Sequence, residues 1–162
     1  MSEVAWLGLG ANIGDPEAQI SGALESLAAD PRLELLRVST LIETDPVGGP
    51  PGQPRFLNGV AEVRWAGEPE ALLELLQAVE ARFGRERQVP DGPRTLDLDL
   101  LLFGERRIRG PRLTVPHPRM DQRTFVLGPL ASLEPGLRIP SQSGSVAELL
   151  AGLGSSAALA SH

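Results

Sequence analysis

The stretch Gly92-Pro93-Arg94-Thr95-Leu96-Asp97-Leu98-Asp99-Leu100-Leu101-Leu102-Phe103 decides how this chain is read. Gly92-Pro93 marks a turn, and the apolar run that follows predicts a strand. Strand side chains alternate between faces, so Asp97 and Asp99 point the same way. Leu96, Leu98, Leu100 and Leu102 are then expected on one apolar face, with Thr95, Asp97, Asp99, Leu101 and Phe103 on the other. Two neighbouring carboxylates repel, and burying them is costly unless a cation lies between them. Hard oxygen ligands at this spacing suit Mg²⁺ shared with a phosphate, which Arg94 can grip in bidentate fashion. Taken alone, the pair reads equally well as two solvent-facing aspartates on a half-buried sheet. The change from charged to apolar along that face fits the mouth of a cleft better than an open surface.

The charge distribution points the same way. The net charge is −6, all fifteen basic residues are arginine, and ten of them fall between Arg82 and Arg123. That window carries +4, so the rest of the chain carries −10. A basic island in an acidic chain predicts an anionic ligand held locally and argues against broad nucleic-acid binding. The length of 162 residues fits one domain, and there is no cysteine for disulfide or thiol chemistry. No run is long enough to span a membrane and no signal-peptide pattern is present, so a cytoplasmic protein is expected.

Working outward, Val4 to Leu9 reads as a short strand and Asp15-Pro16 as the N-cap and first position of a helix. That helix carries the stripe Ile20, Ala23, Leu24, Leu27 and Ala28. Leu33 to Ile42 reads as one strand with Leu33, Leu35, Arg37, Ser39 and Leu41 on one face. From Thr44 to Pro54, four prolines and three glycines predict a long functional loop. Phe56 to Trp65 is the next strand. Glu70 to Phe83 is an amphipathic helix lined by Leu72, Leu73, Leu76, Val79 and Phe83. After the aspartate strand come a short strand at Arg106 to Arg109, an extended Leu113 to Pro118, a helix from Arg123 to Leu133 and a short helix from Val146 to Leu150. The Ser/Ala/Gly-rich residues 152–162 are expected to form a mobile tail after a single domain at 1–151. The order strand-helix-strand-strand-helix-strand predicts a ferredoxin-like α+β fold, an antiparallel sheet with helices packed on it.

The motifs resemble those of the 6-hydroxymethyl-7,8-dihydropterin pyrophosphokinase family. The resemblance rests on Gly92 to Asp99, on Leu113-Thr114-Val115-Pro116-His117 followed by Met120, Arg123 and Phe125, and on Leu9 to Gly14. Glu43 to Gly48 and Phe56-Leu57-Asn58 complete it. Together these motifs cover the chain from about Val4 to Leu150. The resemblance implies transfer of the β,γ-diphosphate of ATP to the hydroxymethyl oxygen of 6-hydroxymethyl-7,8-dihydropterin, leaving AMP. It implies two Mg²⁺ ions on Asp97 and Asp99, and catalytic roles for Arg85 and Arg94 beside those aspartates. ATP ligands would be Arg87, Arg94, Arg112, Thr114, His117 and Arg123, with the backbone near Leu100 meeting adenine. The pterin ring would stack between Phe56 and Phe125, its edge read by Asn58 and by backbone groups of Thr44 and Val47. Glu80 falls where the family carries a glutamate near the active site; its bland reading is a solvated helix residue. The expected partners are ATP and the pterin, with no nucleic acid or membrane, and the chain is expected to be a monomer.

There are departures from the family pattern. The loop after Arg87 is shorter by one residue, and Pro90-Asp91 stands where an Arg-Trp pair is expected. Pro118 replaces an aromatic, and Phe56 replaces a tyrosine, keeping the stacking face without the hydroxyl. Two other classes fit parts of the pattern: a metal-dependent phosphate-ester hydrolase with His117 as base, and a non-catalytic binding module. An RNA-binding module is disfavoured by four Phe, no Tyr and the acidic net charge.

Overall fold

Apolar strands buried on both faces build an antiparallel sheet. In the computed structural model, which describes residues 2–12, 15–44, 56–83, 96–140 and 142–155, the strands are β1 (Glu3–Ala11), β2 (Leu33–Val38), β3 (Ile42–Thr44), β4 (Phe56–Trp65) and β5 (Asp97–Phe103). The order across the sheet is β2-β4-β1-β5, with β3 also paired to β4. Helix α1 (Pro16–Ala28) connects β1 to β2, and α2 (Pro69–Arg82) connects β4 to β5. Each crossover leaves a gap that another strand fills, so every pairing is antiparallel. This is the expected ferredoxin-like α+β plan.

Local chemistry sets the helices. Asp15 caps α1 by accepting the Ala18 N–H at 3.1 Å, with Pro16 in the first turn. Ile20, Ala23 and Leu27 of α1 and Leu72, Leu76 and Val79 of α2 are buried against one sheet face, formed by Leu7, Leu9, Ala61, Val63, Leu98 and Leu100. Ala28, expected in the stripe, is exposed at the end of α1. The opposite sheet face packs Trp6, Val60, Leu101 and Leu102 against α3 (Thr124–Leu133) and α4 (Val146–Ser155). Between β5 and α3 lie the short pair β6 (Ile108–Arg109) and β7 (Thr114–Val115) and one 3-10 turn at Met120–Gln122.

Two irregularities correct the simple alternation. Leu100 pairs with Leu7 and Leu102 with Trp6, so Leu101 is an extra residue in β5. A bulge of this kind shifts the face assignment after it. Phe103 therefore joins the core with Leu96, Leu98 and Leu100, whereas Leu102 lies with Leu101 on the face of the aspartates, the reverse of the expectation for both. A second bulge at Leu36 places Arg37 opposite Glu62, on the other face from Leu33 and Leu35. The single strand expected from Leu33 to Ile42 is also split. Ser39 ends β2, donating its N–H to the Val60 carbonyl and accepting the Val60 N–H on Oγ, both at 2.9 Å.

At the C-terminus, α4 continues past the expected end at Leu150 to Ser155 and into the stretch read as a tail. Leu149, Leu150 and Leu153 pack on the second core, and that burial outweighs the low helix propensity of Gly152.

Candidate functional site

The site lies where the second sheet face runs beyond the α3–α4 cover. Across one row of this face, Asp97 of β5 stands opposite Gly10 of β1, Gly10 opposite Asn58 of β4, and Asn58 opposite Ile42 of β3. The next row reads Asp99, Gly8 and Val60. Among the described residues, the two aspartates are thus flanked on β1 by Gly10 and Gly8, and a shelf lies between them and Asn58. Strands about 4.8 Å apart put Asp97 and Asn58 roughly 10 Å from each other across it. A Cβ at position 10 would lie 3.1 Å from Asn58 Oδ1, so glycine keeps that amide accessible from the shelf.

Asp97 and Asp99 are both half-buried. About 7 Å apart along the strand, their charges repel by about 2 kcal/mol at an effective dielectric near 20. Leu96, Leu98 and Leu100 are buried on the opposite face, and each contributes roughly 1.5–3 kcal/mol. The leucines therefore hold the strand against the repulsion. Among the described residues no group of three or more His, Cys, Asp or Glu side chains converges. The donor set among the described residues is a pair of hard carboxylates. That fits Mg²⁺, which keeps waters and shares phosphate oxygens, better than a cation that needs full protein coordination.

On the other side of the shelf, the buried Asn58 amide donates from Nδ2 to the Thr44 hydroxyl at 2.6 Å. This bond fixes which way the amide points, and Oδ1 is turned to Gly10. Thr44 was expected through its backbone; here its hydroxyl also orients Asn58. Phe56 and Phe125 are half-buried, the first opposite Thr44 in the β3–β4 ladder and the second in the first turn of α3. The Arg123 guanidinium lies over the Phe125 ring, 5.4 Å from its centroid.

His117 is fastened to the outer edge of β5 by its N–H, which donates to the Leu101 carbonyl at 3.0 Å. Its Nδ1 accepts the Arg119 N–H at 3.3 Å, which leaves Nε2 as the protonated nitrogen of a neutral ring. Burial, and then the positive charges of Arg123 and Arg119, lower its pKa, against an opposing pull from Asp97. The structure therefore brings His117, Arg123 and Asp97 into one electrostatic neighbourhood. Leu100 turns its side chain into the core. By the ladder alternation its peptide groups face the same outer edge as those of Leu98. Thr114 is exposed on β7, and Arg112 pairs with Glu74 of α2 at 3.5 Å, tying the β6–β7 hairpin to that helix. Arg85, Arg87, Arg94 and Val47, with the Pro90-Asp91 departure, fall outside the described residues.

The sequence reading missed two features. The strand expected from Val4 to Leu9 runs on through Gly10 to Ala11, and its glycines Gly8 and Gly10, given no role in the sequence, form the shelf. Glu80 is buried, not solvated, and its Oε2 accepts the Leu98 N–H at 2.7 Å. Its spacing carried the signal: Glu80 follows Leu72 and Leu76 at steps of four, on the buried stripe of α2.

Residues 6–135 match the family described as 7,8-dihydro-6-hydroxymethylpterin-pyrophosphokinase. A Pseudomonas aeruginosa protein named 2-amino-4-hydroxy-6-hydroxymethyldihydropteridine pyrophosphokinase is 49% identical over 140 residues, 86% of each chain. A Bacillus subtilis protein of the same name is 45% identical over 133 residues, 82% of this chain and 79% of its own. Among solved structures, Plasmodium falciparum HPPK-DHPS with pteroate superposes with a TM-score of 0.75 at 14% identity. That match covers 96% of this chain and 43% of the Plasmodium chain, so this chain spans under half the length of that structure and shares its fold. The chain belongs to the 7,8-dihydro-6-hydroxymethylpterin-pyrophosphokinase family.

Proposed function

We propose that this chain transfers the diphosphate group of ATP to the hydroxymethyl oxygen of 6-hydroxymethyl-7,8-dihydropterin, releasing AMP and the pterin diphosphate in folate biosynthesis. The observation that carries this reading is the row Asp97–Gly10–Asn58 on one open sheet face. It sets a carboxylate pair suited to a metal–phosphate complex across a shelf from a buried amide suited to reading a heterocycle's edge. Family membership supports the same assignment, and the relatives named above carry the pyrophosphokinase name.

In this reading, Asp97 and Asp99 hold two Mg²⁺ ions. When bound, the ions neutralise triphosphate charge and favour the ionised form of the attacking hydroxyl. The remaining work belongs to the chain and is mostly positioning. Neutral His117 offers Nε2–H to the nucleotide without adding a cation, and Arg123 approaches the phosphates from the Phe125 side. Arg112 and Thr114 contribute from the β6–β7 hairpin, the Leu100 peptide meets adenine, and Arg85, Arg87 and Arg94 close the set of phosphate ligands. On the pterin side, Phe56 and Phe125 stack the ring, while Asn58 and the backbone of Thr44 and Val47 pair with its edge. No helix among the described residues is long and apolar enough to cross a membrane. We propose a cytoplasmic monomer whose partners are its two small substrates.

The test is to incubate the chain with ATP, Mg²⁺ and the reduced pterin and follow nucleotides by chromatography. AMP that forms only when pterin is present is the expected result. ADP or free phosphate without pterin would replace this reading with a hydrolase, and no turnover would favour a binding module.

A further inference from the structure

Glu80 sits in the last turn of α2, 6% exposed, with its carboxylate on the Leu98 N–H. Burial disfavours its charge, and so does the negative end of the helix dipole. A residue that only filled this position would be apolar. The group it holds is specific. Leu98 lies between Asp97 and Asp99, and β5 is the last strand of its sheet. The peptides of Asp97 and Asp99 face β1, so the Leu98 N–H points away from the sheet, where none of the described strands receives it. A short bond from a carboxylate to this N–H fixes the peptide plane joining the two aspartates. Further along the same edge, the His117 N–H holds the Leu101 carbonyl. The segment carrying the acidic pair is thus held on its outer edge by a side chain from α2 and by the backbone at His117.

We propose that Glu80 is a positioning residue for the Asp97–Asp99 pair. Through the Leu98 N–H it sets the pleat that makes both carboxylates converge on the same cations. The inference rests on the metal reading given above. It requires reach, not charge: a glutamine retains a carbonyl oxygen at the same distance, whereas an aspartate retains the charge but is shorter by one methylene.

The test compares Glu80→Gln with Glu80→Asp. Mn²⁺ binding is measured by the loss of the free-ion EPR signal, with a non-hydrolysable ATP analogue present, and exchange protection of the Leu98 amide is measured by NMR. Glu80→Asp is expected to weaken Mn²⁺ binding about 10-fold, in the range found for outer partners of metal ligands, and to reduce Leu98 protection. Glu80→Gln is expected to keep both near wild type. Normal Mn²⁺ binding in Glu80→Asp with a deprotected Leu98 would overturn the proposal, as would equal loss in both variants. Asp97→Asn serves as the control. If it leaves Mn²⁺ binding unchanged, the metal reading fails, while Leu98 protection still reports whether Glu80 holds the peptide.

Discussion

One sheet face has two ends built on opposite principles. At the end under α3 and α4, the row across the sheet reads Leu102, Trp6, Glu62 and Arg37. Bulk fills it, and charge is cancelled within it. Arg37 donates to Glu62 at 2.7 Å, to the Leu133 carbonyl at 2.8 Å and to Glu134 at 2.7 Å, fastening the end of α3 to β2 and β4. Four residues further along β1, the row reads Asp97, Gly10 and Asn58. Here glycine replaces tryptophan, and two acidic residues of like charge stand in line. β5, β1 and β4 carry both rows, with β2 beyond β4 at the closed end and β3 at the open end, so in the three shared strands the difference lies in side chains. One end is closed by the chain's own helices, and the other carries the residues proposed to meet the substrates.

The most direct way to break this comparison is to remove the like charges. Asp97→Ala and Asp99→Ala should each lower pterin-dependent AMP formation by about 10²-fold or more, the scale of losing a principal electrostatic stabiliser. The folded state should persist in urea, because Leu96, Leu98 and Leu100 hold the strand in the core. A variant with near-normal turnover would mean the open end is not the reaction centre.

How legible this contrast was in sequence depends on what sets each part. The strands at Phe56 to Trp65 and around Asp97 were readable because apolar runs bounded by turn residues are local signals. The partners of Arg37 were not. Its place on the closed face follows from the bulge at Leu36, and a bulge is specified by pairing across strands, not by the strand's own pattern. Leu102 and Phe103 exchanged faces for the same reason. The shelf was hidden because Gly8 and Gly10 matter through what they leave empty beside residues 50 to 90 positions away. Glu80 was half legible: its helical spacing was visible, but its bond to Leu98 was not.

A sharper probe tests the emptiness itself. Gly10→Ala would bring a Cβ within 3.1 Å of Asn58 Oδ1, whereas Gly8→Ala would meet Leu101 and Asp99 at ordinary contacts of 3.5 and 3.6 Å. Overpacking costs about 1–3 kcal/mol, and about 1.4 kcal/mol is tenfold in affinity. Gly10→Ala should therefore weaken pterin binding roughly tenfold by calorimetry while Gly8→Ala changes it little. Equal effects from the two would show that the shelf has no finer structure than its overall width.

At the closed end the expected change is in stability. Arg37→Met removes three donors but keeps much of the apolar stem over Trp6. The Arg37 side chain is 39% exposed, so solvent screens its ion pairs and the urea midpoint should fall only slightly. The kinetic constants should not move. A fall in turnover comparable to that of the aspartate variants would mean the two ends are coupled through β4.

The smallest expected difference is in response to pH. At the closed end, the hydrogen bonds that Arg37 donates to Glu62 and Glu134 raise its pKa above the usual guanidinium range, so its charge is constant across neutral and acidic pH. At the open end, His117 has its pKa lowered by burial and by Arg123 and Arg119. As pH falls, the unfolded chain takes up this proton first, near the ordinary histidine value of about 6.5. The stability that neutral His117 contributes is thus complete above about 6.5 and is lost as pH drops from there toward the folded value. No slope from this group is expected between pH 7 and 8. In metal-free protein, the His117 ring signal in NMR, assigned with His117→Gln against His162, should titrate below 6.5. Arg123→Gln should move that midpoint up, and Asp97→Asn should move it down, since the Asp97 charge opposes the depression. A wild-type midpoint above 6.5 would mean that Asp97 outweighs burial and both arginines, and that His117 meets the nucleotide as a cation.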